Sequence, residues 1–176
     1  MKTQYGFWVE PDRCTKCWSC QVACKAWKGT KAGTVNIRRV LDIWGGTFPN
    51  VTRTFISLSC MHCEKPACMA VCPVGAVSKR VEDGIVLVDQ SKCIGCHSCF
   101  FACPFGVPQF GEDGTMQKCD YCLDRLEAGK APACAANCPT KALHSGTMEE
   151  LSKLAAERSG TRLAASTQPS ILISKK

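Results

Sequence analysis

The stretch Lys92-Cys93-Ile-Gly-Cys96-His-Ser-Cys99-Phe-Phe-Ala-Cys103-Pro104 spaces four cysteines as C-x2-C-x2-C-x3-C, and a proline follows the last one. Three thiols this close along the chain can converge on one metal centre. The proline biases the fourth cysteine towards an extended backbone, which carries its side chain off the loop. The stretch therefore predicts metal ligation by cysteine, with the fourth thiol directed away from the other three.

All 16 cysteines of the 176-residue chain fall into four groups of four. The first group has the spacing of the third, and the second and fourth share C-x2-C followed by a longer gap and C-x3-C. Proline follows the last cysteine in every group but the first. In chain order the groups are Cys14, Cys17, Cys20 and Cys24; Cys60, Cys63, Cys68 and Cys72; Cys93, Cys96, Cys99 and Cys103; and Cys119, Cys122, Cys134 and Cys138.

Disulfide bonds and zinc are the other common uses of so many cysteines. A disulfide scaffold needs paired Cα atoms within about 7 Å and gives no reason for four groups of four. Zinc usually takes two C-x2-C pairs separated by a longer spacer, which only the fourth group resembles. The spacing of the quoted stretch is that of bacterial ferredoxins. The expected cofactors are four [4Fe–4S] clusters, with all sixteen cysteines as iron ligands.

The chain contains an internal duplication. A shift of 79 residues (93 minus 14) superposes the first group on the third, together with the eight residues that end at each first cysteine. The second and fourth groups match in spacing and in the residues after their last cysteine, Cys72-Pro-Val-Gly-Ala-Val and Cys138-Pro-Thr-Lys-Ala-Leu. The first two groups are therefore related to the last two.

Two β-prone runs around Asp83-Gly84 predict a hairpin between the second and third groups. This connection resembles the one between the halves of a two-cluster ferredoxin, so the two groups are expected to form one module. The first and fourth groups then form another, in which a strand at Gly6–Val9 pairs with a strand near Ala142–Ser145. The expected fold class is α+β: two bacterial dicluster ferredoxin-like modules, one discontinuous and circularly permuted, with small β-hairpin and helical insertions.

The predicted domains are residues 59–112 for the continuous module, 1–26 plus 113–147 for the permuted module, 27–58 for a β-hairpin insertion, and 148–176 for a C-terminal helix and tail. In two-cluster ferredoxins the fourth cysteine of each run binds the neighbouring cluster. That resemblance implies four ligand sets: Cys14, Cys17, Cys20 with Cys138; Cys24 with Cys119, Cys122, Cys134; Cys60, Cys63, Cys68 with Cys103; and Cys72 with Cys93, Cys96, Cys99. The alternative is that each group holds its own cluster.

The remaining segments carry weaker patterns. In the insertion, Val35–Leu41 and Thr52–Leu58 are β-prone and predict a surface hairpin packed on the cluster core, or else a docking loop. A short helix is expected from Leu123 to Gly129. Thr147 with a glutamate three residues on predicts a capped helix. The last residues, from Gly160, are expected either to fray or to wrap a partner subunit.

The charge of the chain is best explained by its cofactors. The formal net charge is +7 with neutral thiols. Four oxidised clusters with four thiolates each add about −8, which leaves the loaded chain near −1. Because the basic residues are also scattered, no nucleic-acid partner is expected. Three of them precede cysteine groups and could offset cluster charge (Arg13, Lys92 and Lys118), while His62 and His97 could donate hydrogen bonds to cluster sulfur.

Taken together, the four groups resemble the iron–sulfur (electron-transfer, beta) subunit of the dimethyl sulfoxide reductase family of molybdenum and tungsten oxidoreductases. The resemblance covers residues 3 to about 146. The runs that carry it are Cys14-Thr-Lys-Cys-Trp-Ser-Cys, Ser59-Cys-Met-His-Cys-Glu-Lys-Pro-Ala-Cys, Lys92-Cys-Ile-Gly-Cys-His-Ser-Cys and Lys118-Cys-Asp-Tyr-Cys, with Gln4-Tyr-Gly-Phe and Cys103-Pro-Phe-Gly-Val-Pro-Gln.

The resemblance implies a non-catalytic subunit that relays single electrons through four clusters, between a large pterin-containing catalytic subunit and a second redox partner. That second partner would be a membrane anchor, or a flavin or ferredoxin protein. The alternative is a free polyferredoxin that serves several oxidoreductases; a substrate-converting open iron site is disfavoured because every cluster has four thiolates. No membrane span and no export signal are expected. The chain would stay in the cytoplasm, or leave it folded with a twin-arginine partner.

Overall fold

Short strands and short helices alternate along the chain in the computed structural model, which describes residues 3–174. The strands are β1 (Tyr5–Val9), β2 (Arg39–Thr47), β3 (Asn50–Leu58), β4 (Val77–Lys79), β5 (Val86–Val88), β6 (Gln109–Phe110), β7 (Met116–Gln117), β8 (Leu143–Thr147), β9 (Gly160–Arg162) and β10 (Ile171–Ser174). The helices are α1 (Ser19–Trp27), α2 (Ala67–Ala70), α3 (Ser98–Ala102), α4 (Leu123–Glu127), α5 (Ala133–Ala136) and α6 (Met148–Glu157). The elements are short because cysteine loops interrupt them.

The predicted hairpin between the second and third cysteine groups is confirmed. β4 and β5 pair antiparallel, with Val77 opposite Val88. Gly84, in the connecting turn, has a φ of +69°. Glycine adopts this left-handed conformation without the steric cost that a Cβ atom imposes. The two β-prone runs therefore fold back on each other at the expected place.

The pairing of the N-terminal strand with a strand beyond the fourth group is also confirmed. β1 and β8 are antiparallel, with Phe7 opposite Ser145. The buried Tyr121 ties the two strands together, because its hydroxyl donates to the carbonyl oxygen of Gly6 at 2.7 Å and accepts from the N–H of Gly146 at 2.9 Å. Strands from opposite ends of the chain thus form one sheet, while the circular permutation inferred from them stays a prediction.

The expectation of a frayed tail is wrong for the residues up to 174. β10 adds to the other edge of β1 in parallel, and β9 pairs antiparallel with β10. Ile171 and Leu172 are 1% and 5% exposed, so apolar burial holds the segment in place. A side chain at Gly6 would collide with the backbone oxygen of Ser170, so glycine is needed for this approach. Residues 1, 2, 175 and 176 of the predicted segments lie outside the described residues.

The predicted C-terminal helix is α6, and its capping box is present. The Thr147 hydroxyl accepts the N–H of Glu150, and the Glu150 carboxylate accepts the N–H of Thr147. α6 packs across the four-stranded sheet through an apolar cluster that contains Trp8, Leu151 and Leu172. This face of the sheet is thereby covered.

The insertion forms the expected hairpin, β2 with β3, in which Arg39 lies opposite Leu58 and Thr47 opposite Asn50. Its first strand begins at Arg39, later than the β-prone run suggests. A second hairpin, β6 with β7, was not anticipated. The expected short helix between Cys122 and Cys134 of the fourth group is α4, which ends before Gly129. Across residues 3–174, no helix is long and apolar enough to cross a bilayer.

Candidate metal centres

One small pocket is lined by Cys72, Cys93, Cys96 and Cys99, which we call site 4. The loop that carries its last three cysteines reaches α3 through Gly95 and His97, both in the left-handed region at φ +66° and +62°. These turns bring three thiols of one loop to the same pocket. Cys72 reaches it from the preceding group.

A matching pocket is lined by Cys14, Cys17, Cys20 and Cys138, which we call site 1. The fourth cysteine makes the same local hydrogen bond in both sites. The N–H of Ala142 donates to Cys138 Sγ at 3.3 Å, and the N–H of Ala76 donates to Cys72 Sγ at 3.2 Å. The donor lies four residues after the cysteine each time, so the duplication seen in the sequence extends to the hydrogen bonds of the sites.

The third set of neighbouring thiols consists of Cys24, Cys119, Cys122 and Cys134, which we call site 2. Burial, together with charges on Cys134 and Cys122, raises the pKa of the Cys24 thiol to about 12. The guanidinium of Arg38 acts in the opposite direction and lowers this pKa. Burial also raises the pKa of Cys119 well above its ordinary value. These thiols therefore ionise only where positive charge compensates the thiolates, as bound iron would do.

The last set consists of Cys60, Cys63, Cys68 and Cys103, which we call site 3. Burial raises the pKa of Cys68 to about 12, and its neighbours Cys60 and Cys103 add to the rise. Burial likewise raises the pKa of Cys63, whose Sγ lies 3.5 Å from the hydroxyl of Thr167. Each cysteine group is thus split, with three members in one site and the fourth in another. Ligation by these four sets stays a prediction.

The sites differ in their access to solvent. Cys17 of site 1 and Cys96 of site 4 are exposed, whereas all four cysteines of site 2 are buried. In site 3, Cys60 is buried and the others are half-buried. Sites 1 and 4 therefore open to the surface, and sites 2 and 3 lie inside.

The chemistry of the donors fits iron–sulfur clusters. All sixteen cysteines are free thiols, with no disulfide among them. Several receive hydrogen bonds that a thiolate ligand would retain, such as Tyr121 N–H to Cys119 Sγ at 3.3 Å and Met116 N–H to Cys93 Sγ at 3.4 Å. Within residues 3–174, no three His, Cys, Asp or Glu side chains lie close enough together to hold a single metal ion.

Two buried cations lie among these thiols. Arg38 is 1% exposed and Lys118 is 7% exposed. Neither forms a salt bridge with a carboxylate in the part of the chain that the structure describes. A buried charge without a partner is costly, so the thiolates are the expected partners.

The idea that basic residues before the groups offset cluster charge therefore stays a prediction, which burial favours for Lys118 alone. Arg13 is well exposed and pairs with Glu10, and the exposed Lys92 pairs with Asp89. Sequence reasoning missed Arg38. The available signal was a charged residue inside a β-prone run, between Ile37 and Val40.

The two histidines in cysteine loops have different surroundings. His62 is fully buried; its Nδ1 accepts the N–H of Val86 at 3.1 Å, and burial holds its pKa well below the usual value. The proton of this neutral ring is therefore on Nε2, a buried atom with no hydrogen-bond partner in the described part of the chain. His97 stacks on the ring of Phe110 at 3.7 Å between centroids. His62 thus retains a free donor of the kind predicted for both.

Comparisons with known proteins indicate the class of cofactor. A family described as a 4Fe-4S dicluster domain matches residues 51–148. The B subunit of anaerobic dimethyl sulfoxide reductase from Escherichia coli K12 is 47% identical over 162 residues, which cover 87% of this chain and 78% of that protein. The formate dehydrogenase iron-sulfur subunit of Wolinella succinogenes is 39% identical over 175 residues, 86% of each chain. The thiosulfate reductase electron transfer subunit PhsB of Salmonella typhi is 40% identical over 153 residues, 85% of this chain and 79% of that protein.

The fold and its cysteine sites define an iron–sulfur protein of the ferredoxin-like class, whose cofactors are [4Fe–4S] clusters. Its 16 cysteines are the number of ligands that four such clusters require. The chain thus belongs to the iron–sulfur subunits of the dimethyl sulfoxide reductase family.

Proposed function

We propose that this chain is the electron-transfer subunit of an oxidoreductase complex and relays single electrons through sites 1 to 4. One end of the relay would face a molybdopterin- or tungstopterin-containing catalytic subunit, and the other a second redox partner. The chain itself would convert no substrate. The observation that carries this proposal is the grouping of the thiols into four neighbouring sites, with exposed cysteines only in sites 1 and 4.

The order follows from which thiols are neighbours. Cys20 of site 1 lies close enough to Cys134 of site 2 for their charges to interact. Cys119 of site 2 is coupled to Cys60 of site 3 in the same way. Cys68 of site 3 packs into the apolar cluster that contains Cys99 of site 4. These contacts support a relay that runs from site 1 to site 4.

Each cluster, when bound, would accept and return one electron. The sixteen cysteines would hold the clusters, with the fourth cysteine of each group exchanged within its module. The backbone N–H groups that point at Cys72, Cys93, Cys119 and Cys138 would stabilise the negative charge on these sulfurs. Burial of sites 2 and 3 would keep water away from the middle of the relay.

The partner is inferred from the relatives. The names of three of them place those proteins in a dimethyl sulfoxide reductase, a formate dehydrogenase and a thiosulfate reductase. We propose an equivalent large catalytic subunit for this chain. We also propose that residues 59–112 form the continuous module, and that 1–26 with 113–147 form a circularly permuted one; the pairing of β1 with β8 supports this division.

The test is to purify the native complex under anaerobic conditions and to follow electrons through it. We expect a large pterin-containing subunit to copurify, and about sixteen iron atoms per copy of this chain. Dithionite should bleach the visible absorbance, and the partner enzyme's oxidised substrate should restore it. A chain that purifies alone, and reduces several unrelated enzymes equally well, would be a free carrier and would contradict the proposal.

A further inference from the structure

Arg38 lies in the segment before β2, and its guanidinium is held from several sides. Its side chain is 1% exposed, and the guanidinium carbon stacks on the ring of Phe7 at 4.4 Å. Nη2 donates to the hydroxyl of Ser59 at 2.7 Å, and Nη1 to the hydroxyl of Ser57 at 3.2 Å. The charge is therefore fixed in position, and an arginine keeps it at any pH at which the protein is folded.

A hydrogen-bonded path connects this charge to site 1. The hydroxyl of Ser57, which accepts from Arg38, lies 3.3 Å from Sγ of Cys20. When Cys20 is a thiolate ligand, the Ser57 hydroxyl supplies the proton between its own oxygen and that sulfur. Arg38 thereby polarises a hydrogen bond to a ligand of site 1.

Thiols of site 2 lie near the same guanidinium. Burial acts to lower the pKa of Arg38, but charges on Cys134, Cys119 and Cys24 of site 2, together with Cys20 of site 1, raise it overall. Nε of Arg38 is buried and has no hydrogen-bond partner among residues 3–174. A sulfur acceptor of a bound cluster would satisfy this donor. One cation thus serves two neighbouring sites.

We propose that Arg38 is a shared electrostatic tuning residue, which raises the reduction potentials of the clusters in sites 1 and 2 together and leaves site 4 unaffected. Reduction adds one negative charge to a cluster, and a fixed cation in a medium of low dielectric constant stabilises the added charge. The proposal rests on the ligand sets proposed above. It goes further, because it assigns to one residue a shift in the reduction potentials of two clusters of the relay.

The experiment is an EPR-monitored redox titration of the complex with Arg38→Gln or Arg38→Lys. Gln keeps a hydrogen-bond donor but loses the charge, so we expect the reduction equilibrium constants of sites 1 and 2 to fall about tenfold each, or about 59 mV for a one-electron couple. Lys keeps the charge and should retain most of both potentials. Unchanged potentials in Arg38→Gln, or equal shifts of all four clusters, would overturn the proposal.

A milder variant covers the case in which Arg38→Gln loses iron. Ser57→Ala removes the hydroxyl between Arg38 and Cys20 but keeps the guanidinium charge, so its shift should fall on site 1 and spare site 2. Equal shifts at both sites would contradict the hydrogen-bonded path. The signals are assigned beforehand from variants with one cysteine of each site replaced. If those assignments disagree with the proposed ligand sets, the ligand sets are wrong. If they agree and Arg38→Gln shifts neither signal, the proposed role of Arg38 is wrong.

Discussion

The β4–β5 hairpin and the β1–β8 pair occupy equivalent places in the two modules proposed above, which we call the continuous half (59–112) and the open half (1–26 with 113–147), yet they differ in size and cover. β4 and β5 are three residues each, and within residues 3–174 no further strand joins them. β1 and β8 are five residues each, and β10 and β9 extend them to a four-stranded sheet under α6. Where the chain is continuous, a turn closes the hairpin. Where no turn joins the two strands, β10 and β9 enlarge the sheet, and the stability of the sheet depends on contacts between distant segments.

The largest expected effect tests, in both halves, whether the fourth cysteine of each group binds the neighbouring cluster. Cys138→Ser should remove the cluster held by Cys14, Cys17 and Cys20, with loss of about four iron atoms. Cys72→Ser should do the same for the cluster of the third group. The measurement is iron content, together with EPR signals compared with those of Cys14→Ser and Cys93→Ser.

The assignment depends on which signals disappear together. Cys138→Ser should lose the signal that Cys14→Ser loses, and keep the one that Cys122→Ser loses. If Cys138→Ser and Cys122→Ser lose the same signal, each group holds its own cluster. Exchange in the continuous half alone would mean that the two halves are not equivalent.

The second effect is on the sheet that only the open half possesses. Trp8 is 1% exposed and packs with Leu151 and Leu172. Trp8→Ala should lower the free energy of unfolding by about 3 to 5 kcal/mol, because it leaves a cavity under α6. The measurement is the denaturant concentration at which cluster absorbance is lost.

The matched control is Trp44→Ala, the same substitution at a side chain of the β2–β3 hairpin that is 62% exposed. It should change the free energy of unfolding by less than about 1 kcal/mol. Equal losses for the two variants would mean that the four-stranded sheet adds no more stability than an exposed hairpin does.

The two halves also show what could be predicted from the sequence. Three cysteines of each site belong to one group, and the β4–β5 turn lies within one short segment, so spacing predicted them. The fourth cysteine of each site comes from another group and was expected only from the resemblance to two-cluster ferredoxins. The β1–β8 pairing is long-range, but the duplication made it visible. β10 was missed because Ile171-Leu172-Ile173 is too short a run to stand out in a polar tail. Arg38 was missed because its compensating thiols come from distant groups, which sequence spacing around Arg38 does not reveal.

The third effect is a dependence of stability on pH at the four-stranded sheet of the open half. Glu10, directly after β1, accepts hydrogen bonds from Arg158 beyond α6 at 2.8 Å and is 3.2 Å from His144 of β8. Burial acts to raise the pKa of Glu10, but these partners outweigh it and hold the pKa below its usual value. The stabilisation is therefore complete above the ordinary pKa of about 4.5 and is lost as the pH falls through the lower folded value.

Glu10→Gln should accordingly cost about 1 to 2 kcal/mol near neutral pH, and the cost should shrink as the pH falls below that of ordinary carboxyl titration. The measurement is the free energy of unfolding as a function of pH. Glu149→Gln is the control, since Glu149 pairs with Lys153 on the exposed face of α6. If both variants lose the same small amount at every pH, the Glu10 contacts do not tie the sheet to the end of α6.

The smallest expected effect is at the junction between β8 and α6 in the open half. Thr147 ends β8 and caps α6, and its hydroxyl accepts the N–H of Glu150 at 3.2 Å. Thr147→Ala should cost about 1 kcal/mol, because one N–H of the first turn loses its acceptor. Thr147→Ser keeps the hydroxyl and should retain most of the stability. If Thr147→Ala matches the wild type while Trp8→Ala is strongly destabilised, packing on the sheet holds α6 in place without help from its cap, and the sheet alone distinguishes the two halves.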